Sequence, residues 1–316
     1  MKILHVIQSL ESKFGGPSIF VNSLSLNQIK SNIEVDILTT LVDGDNFITS
    51  SKGLELKKNK VKIHIFKTHK IYRFSFSLVK WVHNNIRKYD CIHIHGLYRF
   101  LPEFVLCYCV FNSIPLVFTP HGALDTYVFK KSNYGKFGLI YKKIIQLMFK
   151  LCLKKISFHF TDISEKNICS KNFSFDKSYI IPIGIENQNL SKLNKNIIRN
   201  KFNFKENDLL IGYIGRLHWK KNLGSLIKGF NVFQNESTFN SKLLIIGNEE
   251  FGYKKKLEYL IHSLNLDDVY ILDAIPNYQV LSYMNDMDIF ASPSHAESFG
   301  ITTIEALSVG TPLLVS

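Results

Sequence analysis

Short apolar runs alternate with longer helical periods along almost the whole of this chain, and that alternation constrains the fold more than any other feature. In the first part Ile3–Ile7, Val35–Leu38, Val61–Phe66, Cys91–Ile94, Leu116–Phe118, Ile156–Phe160 and Tyr179–Ile181 have the character of buried strands, with helical stretches between most of them. Strands joined by crossover helices give a parallel sheet covered on both faces, with right-handed connections. The pattern lapses between Ile185 and Asp208, where NQNLSKLNKN marks a linker followed by a short polar helix. It restarts with Leu209–Ile214, Lys242–Ile246, Val269–Leu272, Ile289–Ala291 and Leu313–Val315. The expectation is therefore an α/β protein of two doubly wound parallel-sheet domains, 1–188 and 189–316. Because Pro312–Ser316 has the sequence character of a buried strand with no closing helix after it, the second domain is expected to lack roughly fifty residues.

The 316 residues are enough for two cores, since single domains usually hold about 100–200 residues. The five cysteines, Cys91, Cys107, Cys109, Cys152 and Cys169, form no CxxC pair, and they are expected to be reduced packing residues of a cytosolic protein. Met1–Leu10 is too short and too weakly basic for a signal peptide. Phe104–Phe111 falls far below the roughly 20 apolar residues that cross a bilayer.

The formal charge of +13 and the pI near 9.3 call for an anionic partner or a plainly solvated basic surface, and charge alone does not choose. One stretch is more pointed. Lys130, Lys131, Lys136, Lys142, Lys143, Lys150, Lys154 and Lys155 interleave with Phe137, Leu139, Ile140, Ile144, Ile145, Leu147, Met148, Phe149 and Leu151, a basic amphipathic pattern suited to an anionic membrane surface.

Open parallel sheets bind ligands at the C-terminal ends of their strands, so the loops there hold the candidate chemistry. After the first strand come Gly15, Gly16 and Pro17 before a helix expected from about Ser18, a place where backbone N–H groups can approach a phosphate, or a plain turn. Thr119-Pro120-His121-Gly122 follows another strand, and a neutral His121 there can meet a sugar hydroxyl or simply satisfy a backbone carbonyl. His93 and His95 share one strand face, which is half a metal site, but no third ligand stands nearby in sequence, so packing is the expected role of His93.

The run Gly212-Tyr213-Ile214-Gly215-Arg216-Leu217-His218-Trp219-Lys220-Lys221-Asn222 takes a strand into a cationic loop and then a helix. Arg216 and Lys221 can stabilise a departing diphosphate without a metal, although lone basic residues before a helix are usually solvated. The strongest signal is Ser294-His295-Ala296-Glu297-Ser298-Phe299-Gly300-Ile301-Thr302-Thr303-Ile304-Glu305-Ala306. With a helix starting near Gly300, the backbone N–H groups of Phe299, Gly300, Ile301 and Thr302 can receive phosphate or sugar oxygens. Glu297 in the loop can accept from donor-sugar hydroxyls and Glu305 in the helix from ribose hydroxyls, where the plain alternative is two surface glutamates, which a Gly-containing helix start flanked by apolar strands disfavours.

Together GGP at 15–17, TPHG at 119–122, GYIGRLHWKKN at 212–222 and HAESFGITTIEAL at 295–307 resemble glycosyltransferase family 4, the retaining family with the GT-B fold. The resemblance spans nearly the whole chain, and the last segment carries the family's E-x7-E motif in full. It implies two Rossmann-like domains, the first on the acceptor side and the second binding a nucleotide-diphosphate sugar in the cleft between them. It places Arg216 and Lys221 on the diphosphate, Glu297 on the sugar, Glu305 on the ribose, His121 near the donor sugar and Gly16 beside the phosphate. HGALDTYVFKKS is similar to a loop of members that build surface polysaccharides, so a bacterial envelope glycan such as lipopolysaccharide is the implied product class.

The implied reaction is retaining transfer to a glycan or lipid-linked acceptor on the leaving-group face of the donor, with the departing phosphate taking the acceptor's proton. Asp43-Gly44-Asp45 and Asp286-Met287-Asp288 spell the DxD pattern of metal-dependent transferases, but one has the character of a turn and the other of a helix exit, so no metal and no cofactor is expected. The partners expected are the nucleotide sugar, the acceptor and an anionic membrane surface, with no nucleic acid, in a cytoplasmic protein peripheral to the inner face of the plasma membrane. The alternatives are a nucleotide-sugar 2-epimerase of the same fold and a non-catalytic sugar- or membrane-binding remnant. A dehydrogenase is disfavoured because the first loop lacks the dinucleotide fingerprint.

Overall fold

The computed structural model describes residues 1–10, 16–41, 54–58, 60–68, 74–125, 135–185, 193, 196–249, 252–295, 297 and 299–316. The chain divides into two compact units, Met1–Ile183 and Gly184–Ser316.

The first unit carries strands β1 (Lys2–Ile7), β2 (Glu34–Leu41), β3 (Leu54–Lys58), β4 (Val61–Lys67), β5 (Cys91–His95), β6 (Leu116–Thr119), β7 (Ser157–Phe160) and β8 (Lys177–Ile180). They form one sheet in the order β3-β4-β2-β1-β5-β6-β7-β8. Every pairing is parallel except β3 with β4, which is antiparallel and seals one edge. The sequence reading missed β3, because LELKK is short, charged and lacks a long apolar run.

Helices α1 (Gly16–Lys30), α2 (Phe76–Asn85), α3 (Phe100–Phe111), α4 (Gly135–Cys152) and α5 (Ile163–Ser170) belong to this unit. The first begins at Gly16, two residues earlier than expected, since Pro17 is well tolerated in a first helical turn. Asp162 caps α5 by accepting the Glu165 N–H at 2.8 Å.

Side chains alternate across a strand, and here the alternation separates two chemistries. Leu4 and Val6 of β1, Ile92 and Ile94 of β5, Phe118 of β6, and Phe158 and Phe160 of β7 join one apolar core with Leu101, Val105 and Phe149. The intervening positions are His5, His93, His95, Thr119 and His159, all buried. One face of this sheet is therefore apolar, and the other mixes these buried imidazoles with Ile3, Ile7 and Ile37.

The second unit carries β9 (Leu209–Ile214), β10 (Ser241–Ile246), β11 (Val269–Leu272), β12 (Ile289–Ser292) and β13 (Leu313–Val315), in the order β11-β10-β9-β12-β13 and wholly parallel. Its helices are α6 (Ile197–Phe202), α7 (Leu223–Glu236), α8 (Tyr253–Ser263), α9 (Asn277–Asp286) and α10 (Ile301–Ser308). Leu210, Ile214, Leu244, Ile246 and Phe290 pack on one face of this sheet with Met284 and Ala306, while Ile211, Tyr213, Leu243, Ile245 and Ala291 pack on the other with Leu226, Ile227 and Leu257. Asp286 accepts the N–H groups of Asn196 at 2.5 Å and Ile198 at 2.8 Å, fastening α6. Asp288 accepts from Leu210 N and Arg199 Nη2 at 2.7 and 2.8 Å, so both acids of this DxD are held by protein donors. The other DxD, at 43–45, lies outside the described residues.

In both sheets the strand order reverses beside the first strand of the unit, between β1 and β5 and between β9 and β12. At such a reversal the connecting helices go to opposite faces of the sheet, and the loops that leave the two adjacent strands line a crevice at their carboxyl ends.

Candidate functional site

In the second unit the loops after β9 and β12 leave neighbouring strands at the reversal, and they meet. His295 N donates to the Lys220 carbonyl at 2.8 Å. Lys221 Nζ pairs with Glu297 Oε2, which also accepts Ser294 Oγ at 3.3 Å. Gly300 precedes α10 at φ +72°, in the left-handed region where a side chain is strained. A Cβ there would lie 3.5 Å from Glu297 Cγ, so the glutamate sits directly beside the helix start.

The cationic loop is set by backbone contact. Gly215 N donates to Ile246 O at 2.9 Å and Leu217 N to Asn248 O at 2.8 Å, running the loop alongside the one after β10. A Cβ on Gly247 would fall 1.7 Å from Gly215 O, so only glycine fits there. Trp219–Lys221 forms a single 3-10 turn capped by His218, whose Nδ1 accepts Lys220 N at 3.2 Å. Tyr213, buried, donates its hydroxyl to the Arg216 carbonyl at 3.1 Å. Burial above all pushes the Tyr213 phenol up, the Glu297 charge adds to this and Arg216 opposes it. Arg216, Lys221, Glu297 and Gly300 thus belong to one neighbourhood.

The first residues of α10, Ile301 and Thr302, present N–H groups that a helix start leaves without intrahelical partners. Phe299 is half-buried ahead of them. On the same helix Glu305 is largely enclosed, and burial alone pushes its carboxyl up to about 7. Ala296 and Ser298 lie outside the described residues.

In the first unit His121 follows β6 at φ +49°, with Gly122 at φ +73°. Glu165 holds this turn: its Oε1 accepts the Gly122 N–H at 2.8 Å and its Oε2 accepts Thr161 N and Oγ1 at 3.0 and 2.9 Å. His121 Nε2 lies 3.1 Å from His95 Nδ1, His95 Nε2 lies 2.9 Å from His5 Nδ1, and His5 Nε2 lies 2.7 Å from Gln28 Oε1 on α1. A second path runs from His93 Nε2 through Thr119 Oγ1 to His159 Nδ1 at 2.7 and 2.9 Å, and from His159 Nε2 to the Ile181 carbonyl at 2.8 Å. Burial holds His5 down at about 4 and His121 at about 3, and keeps His93 and His95 well below the usual imidazole value.

The sequence reading found no third ligand near His93 and His95. The structure corrects this: His5 sits on the paired strand directly opposite His93, and ring nitrogens of His5, His93 and His95 lie within 4.8 Å of one another. That proximity arises from strand register, which spans 88 positions of sequence between His5 and His93. Both nitrogens of His5 and of His95 are taken up by the contacts above, so the cluster is closed on itself. Gly16 opens α1, whose start is fastened by Ser18 Oγ donating to Ser9 O at 3.0 Å. Gly15 lies outside the described residues.

The basic amphipathic stretch forms α4 and the turn after it. Ile140, Ile144, Leu147, Met148 and Leu151 are exposed, Leu151 by 83%, and Lys143, Lys150 and Lys154 accompany them. Lys155 instead donates to the Val110 carbonyl at 3.0 Å. Lys130 and Lys131 lie outside the described residues. No helix among the described residues is long and apolar enough to cross a membrane. All five cysteines are free.

Two family models match this chain. One, described as Glycosyltransferase Family 4, spans residues 14–186, and the other, described as Glycosyl transferases group 1, spans 194–316. The capsular polysaccharide biosynthesis glycosyltransferase CapM of Staphylococcus aureus is 29% identical over 133 residues, an alignment covering 40% of this chain and 32% of CapM. The O-antigen biosynthesis glycosyltransferase WclY of Escherichia coli is 24% identical over an alignment covering 100% of this chain and 80% of WclY. Among solved structures, Anabaena HepE in complex with UDP and glucose superposes with a TM-score of 0.73 at 18% identity, covering 100% of this chain and 80% of HepE. This chain therefore spans about a third of CapM and four fifths of the other two.

Proposed function

The chain belongs to glycosyltransferase family 4, and we propose that it transfers a sugar, with retention, from a uridine diphosphate donor to a glycan or lipid-linked acceptor of a bacterial envelope polysaccharide. The observation that carries this reading is the junction of Lys221, Glu297 and the Gly300 turn. A cation, a carboxylate and a helix start stand together where a nucleotide sugar needs charge neutralisation, hydroxyl recognition and phosphate contacts. Uridine is proposed from HepE, and the envelope product from the O-antigen and capsular relatives.

In this reading Arg216 and Lys221 hold the diphosphate, and the N–H groups from Phe299 to Thr302 add to them. Glu297 takes donor-sugar hydroxyls, Glu305 the ribose, His121 the sugar and Gly16 a phosphate. Lys221 pairs with Glu297, which keeps the cation and the carboxylate side by side for the diphosphate and the sugar of one donor. As the glycosidic bond breaks, charge grows on the leaving phosphate. Fixed cations stabilise that charge, and the phosphate oxygen accepts the acceptor's proton as the new bond forms on the same face. The two guanidinium- and ammonium-bearing side chains take the part a divalent metal plays in DxD enzymes, while Asp286 and Asp288 serve α6 and β9 instead. A 2-epimerase would need its own acid and base in the site, and the relatives named above are glycosyltransferases.

The exposed apolar and lysine-bearing face of α4 supports docking on an anionic bilayer, where a lipid-linked acceptor resides. The test of the main reading is sugar transfer by a full-length protein carrying Arg216→Ala or Glu297→Ala, together with thermal shift against UDP and UDP-sugars. Each substitution is expected to lower kcat by about a hundredfold or more. Unchanged transfer in both removes the site assignment.

A further inference from the structure

His121 is one end of a hydrogen-bonded chain whose other end is a side chain on the half-exposed flank of α1. A neutral imidazole has one N–H and one lone pair, so each ring in such a chain passes its polarity to the next. Burial holds these rings neutral at ordinary pH. With Gln28 Oε1 against it, His5 carries its proton on Nε2 and donates outward, which leaves Nδ1 to accept from His95 Nε2–H. His95 Nδ1 must then accept from His121 Nε2–H. The lone pair of His121 Nδ1 is the one that remains unengaged among the described residues.

We propose that Gln28, His5 and His95 are positioning residues that fix which nitrogen of His121 bears the proton, so that His121 meets a substrate hydroxyl as a hydrogen-bond acceptor through Nδ1. This rests on His121 facing the sugar, as proposed above. The parallel path through His93, Thr119 and His159 shows why Gln28 matters. That path ends on the Ile181 carbonyl, which can only accept, and its direction is therefore set by the backbone. The path to His121 ends on an amide, which accepts through oxygen and donates through nitrogen, so the identity of residue 28 decides the direction for three rings in series. Glu165 fixes the same turn from the other side through Gly122 N, holding the ring in place whichever nitrogen is protonated.

The test replaces Gln28 with an obligate acceptor and an obligate donor, Gln28→Glu and Gln28→Lys, at a position exposed enough for both to fold, with thermal melting as the check. Nitrogen-15 imidazole spectra of the full chain report the tautomer of His121, and couplings across N–H···N bonds report the links His5–His95 and His95–His121. Expected are both couplings in the unsubstituted chain, His121 protonated on Nε2 there and in Gln28→Glu, and the proton moved to Nδ1 in Gln28→Lys. Transfer by Gln28→Lys should fall about tenfold in kcat relative to Gln28→Glu, with the donor KM within about twofold, a split expected of a group that acts on the reacting sugar.

An identical His121 tautomer in both variants, or no coupling between His95 and His121, overturns the proposal. Because the spectra need neither donor nor turnover, a chain with the predicted tautomers but no sugar transfer would sink the transferase reading and leave the relay standing. The opposite pattern, transfer without a tautomer change, sinks the relay alone.

Discussion

At the scale of single residues, two enclosed titratable groups have pKa values shifted in opposite directions, and each shift gives a pH dependence that can be measured. His5 has its folded pKa lowered to about 4 by burial, against 6.5 when free. Below pH 6.5 the unfolded chain binds a proton that the folded chain refuses, so stability falls as pH drops from about 6.5 towards 4, at a rate approaching about 1.4 kcal/mol per pH unit for this one ring. His93 and His95 shift in the same direction and steepen the loss. Urea unfolding at pH 7 and pH 5 is the measurement, and an unchanged midpoint would contradict the burial of these rings. Glu305 moves the other way, with a carboxyl raised to about 7. Its protonated form cannot accept two ribose hydroxyls as a carboxylate does, so UDP affinity is expected to drop about tenfold from pH 8 to pH 6 as the ionised fraction falls. In Glu305→Gln that part of the pH dependence should vanish. A variant with the same pH profile as the unsubstituted chain would take Glu305 out of the nucleotide site.

Elements explain why such residues meet. The loops after β9 and β12 come together because these strands are neighbours at the reversal of strand order, and the Gly215 loop is held by backbone contact with the loop after β10. Gly247→Ala puts a methyl group 1.7 Å from Gly215 O, where backbone must yield. The expected cost is about 1–3 kcal/mol of stability, with a larger proportional loss of UDP affinity because Arg216 follows Gly215 directly. Melting and UDP titration read both, and a variant equal to the unsubstituted chain in each would show that the close approach does not constrain the loop. The segments of this site were legible in sequence, since Arg216, Lys221, Glu297, Gly300 and Glu305 all lie in two loop-to-helix stretches. Gly247 was not legible, because its reason is a contact with a strand exit 32 positions earlier in the chain. His5 left a fainter trace, a polar residue inside the apolar run KILHVI, and its meaning depended on knowing that β1 and β5 pair in register. The strand β3 escaped for a third reason: its partner is the next strand by hairpin, so it needs no crossover helix and no long apolar run.

For the whole molecule the alternation of apolar runs with helices sufficed to give two sheets, parallel but for the β3–β4 pair, because central strands buried on both faces leave a clear apolar signature. Composition said less. A surplus of 39 basic over 26 acidic residues is spread along the chain and does not itself identify a partner. What turns charge into a testable surface is its coincidence with exposed Ile144, Leu147 and Leu151 on α4, because a membrane rewards apolar burial and cationic proximity together, whereas a solvated basic face needs only the second. Each lysine near an anionic surface contributes about 1 kcal/mol at low salt, and the apolar part is insensitive to salt. Full-length protein is therefore expected to sediment with phosphatidylglycerol vesicles but weakly with phosphatidylcholine alone, and to be only partly released by about 0.5 M salt, where the Debye length has shrunk to a few ångströms. Leu147→Glu with Leu151→Glu should abolish the salt-resistant fraction while leaving melting unchanged, since both side chains are exposed. Equal sedimentation with neutral and anionic vesicles would remove the electrostatic role of α4, and a double variant that still resists salt would remove its apolar one.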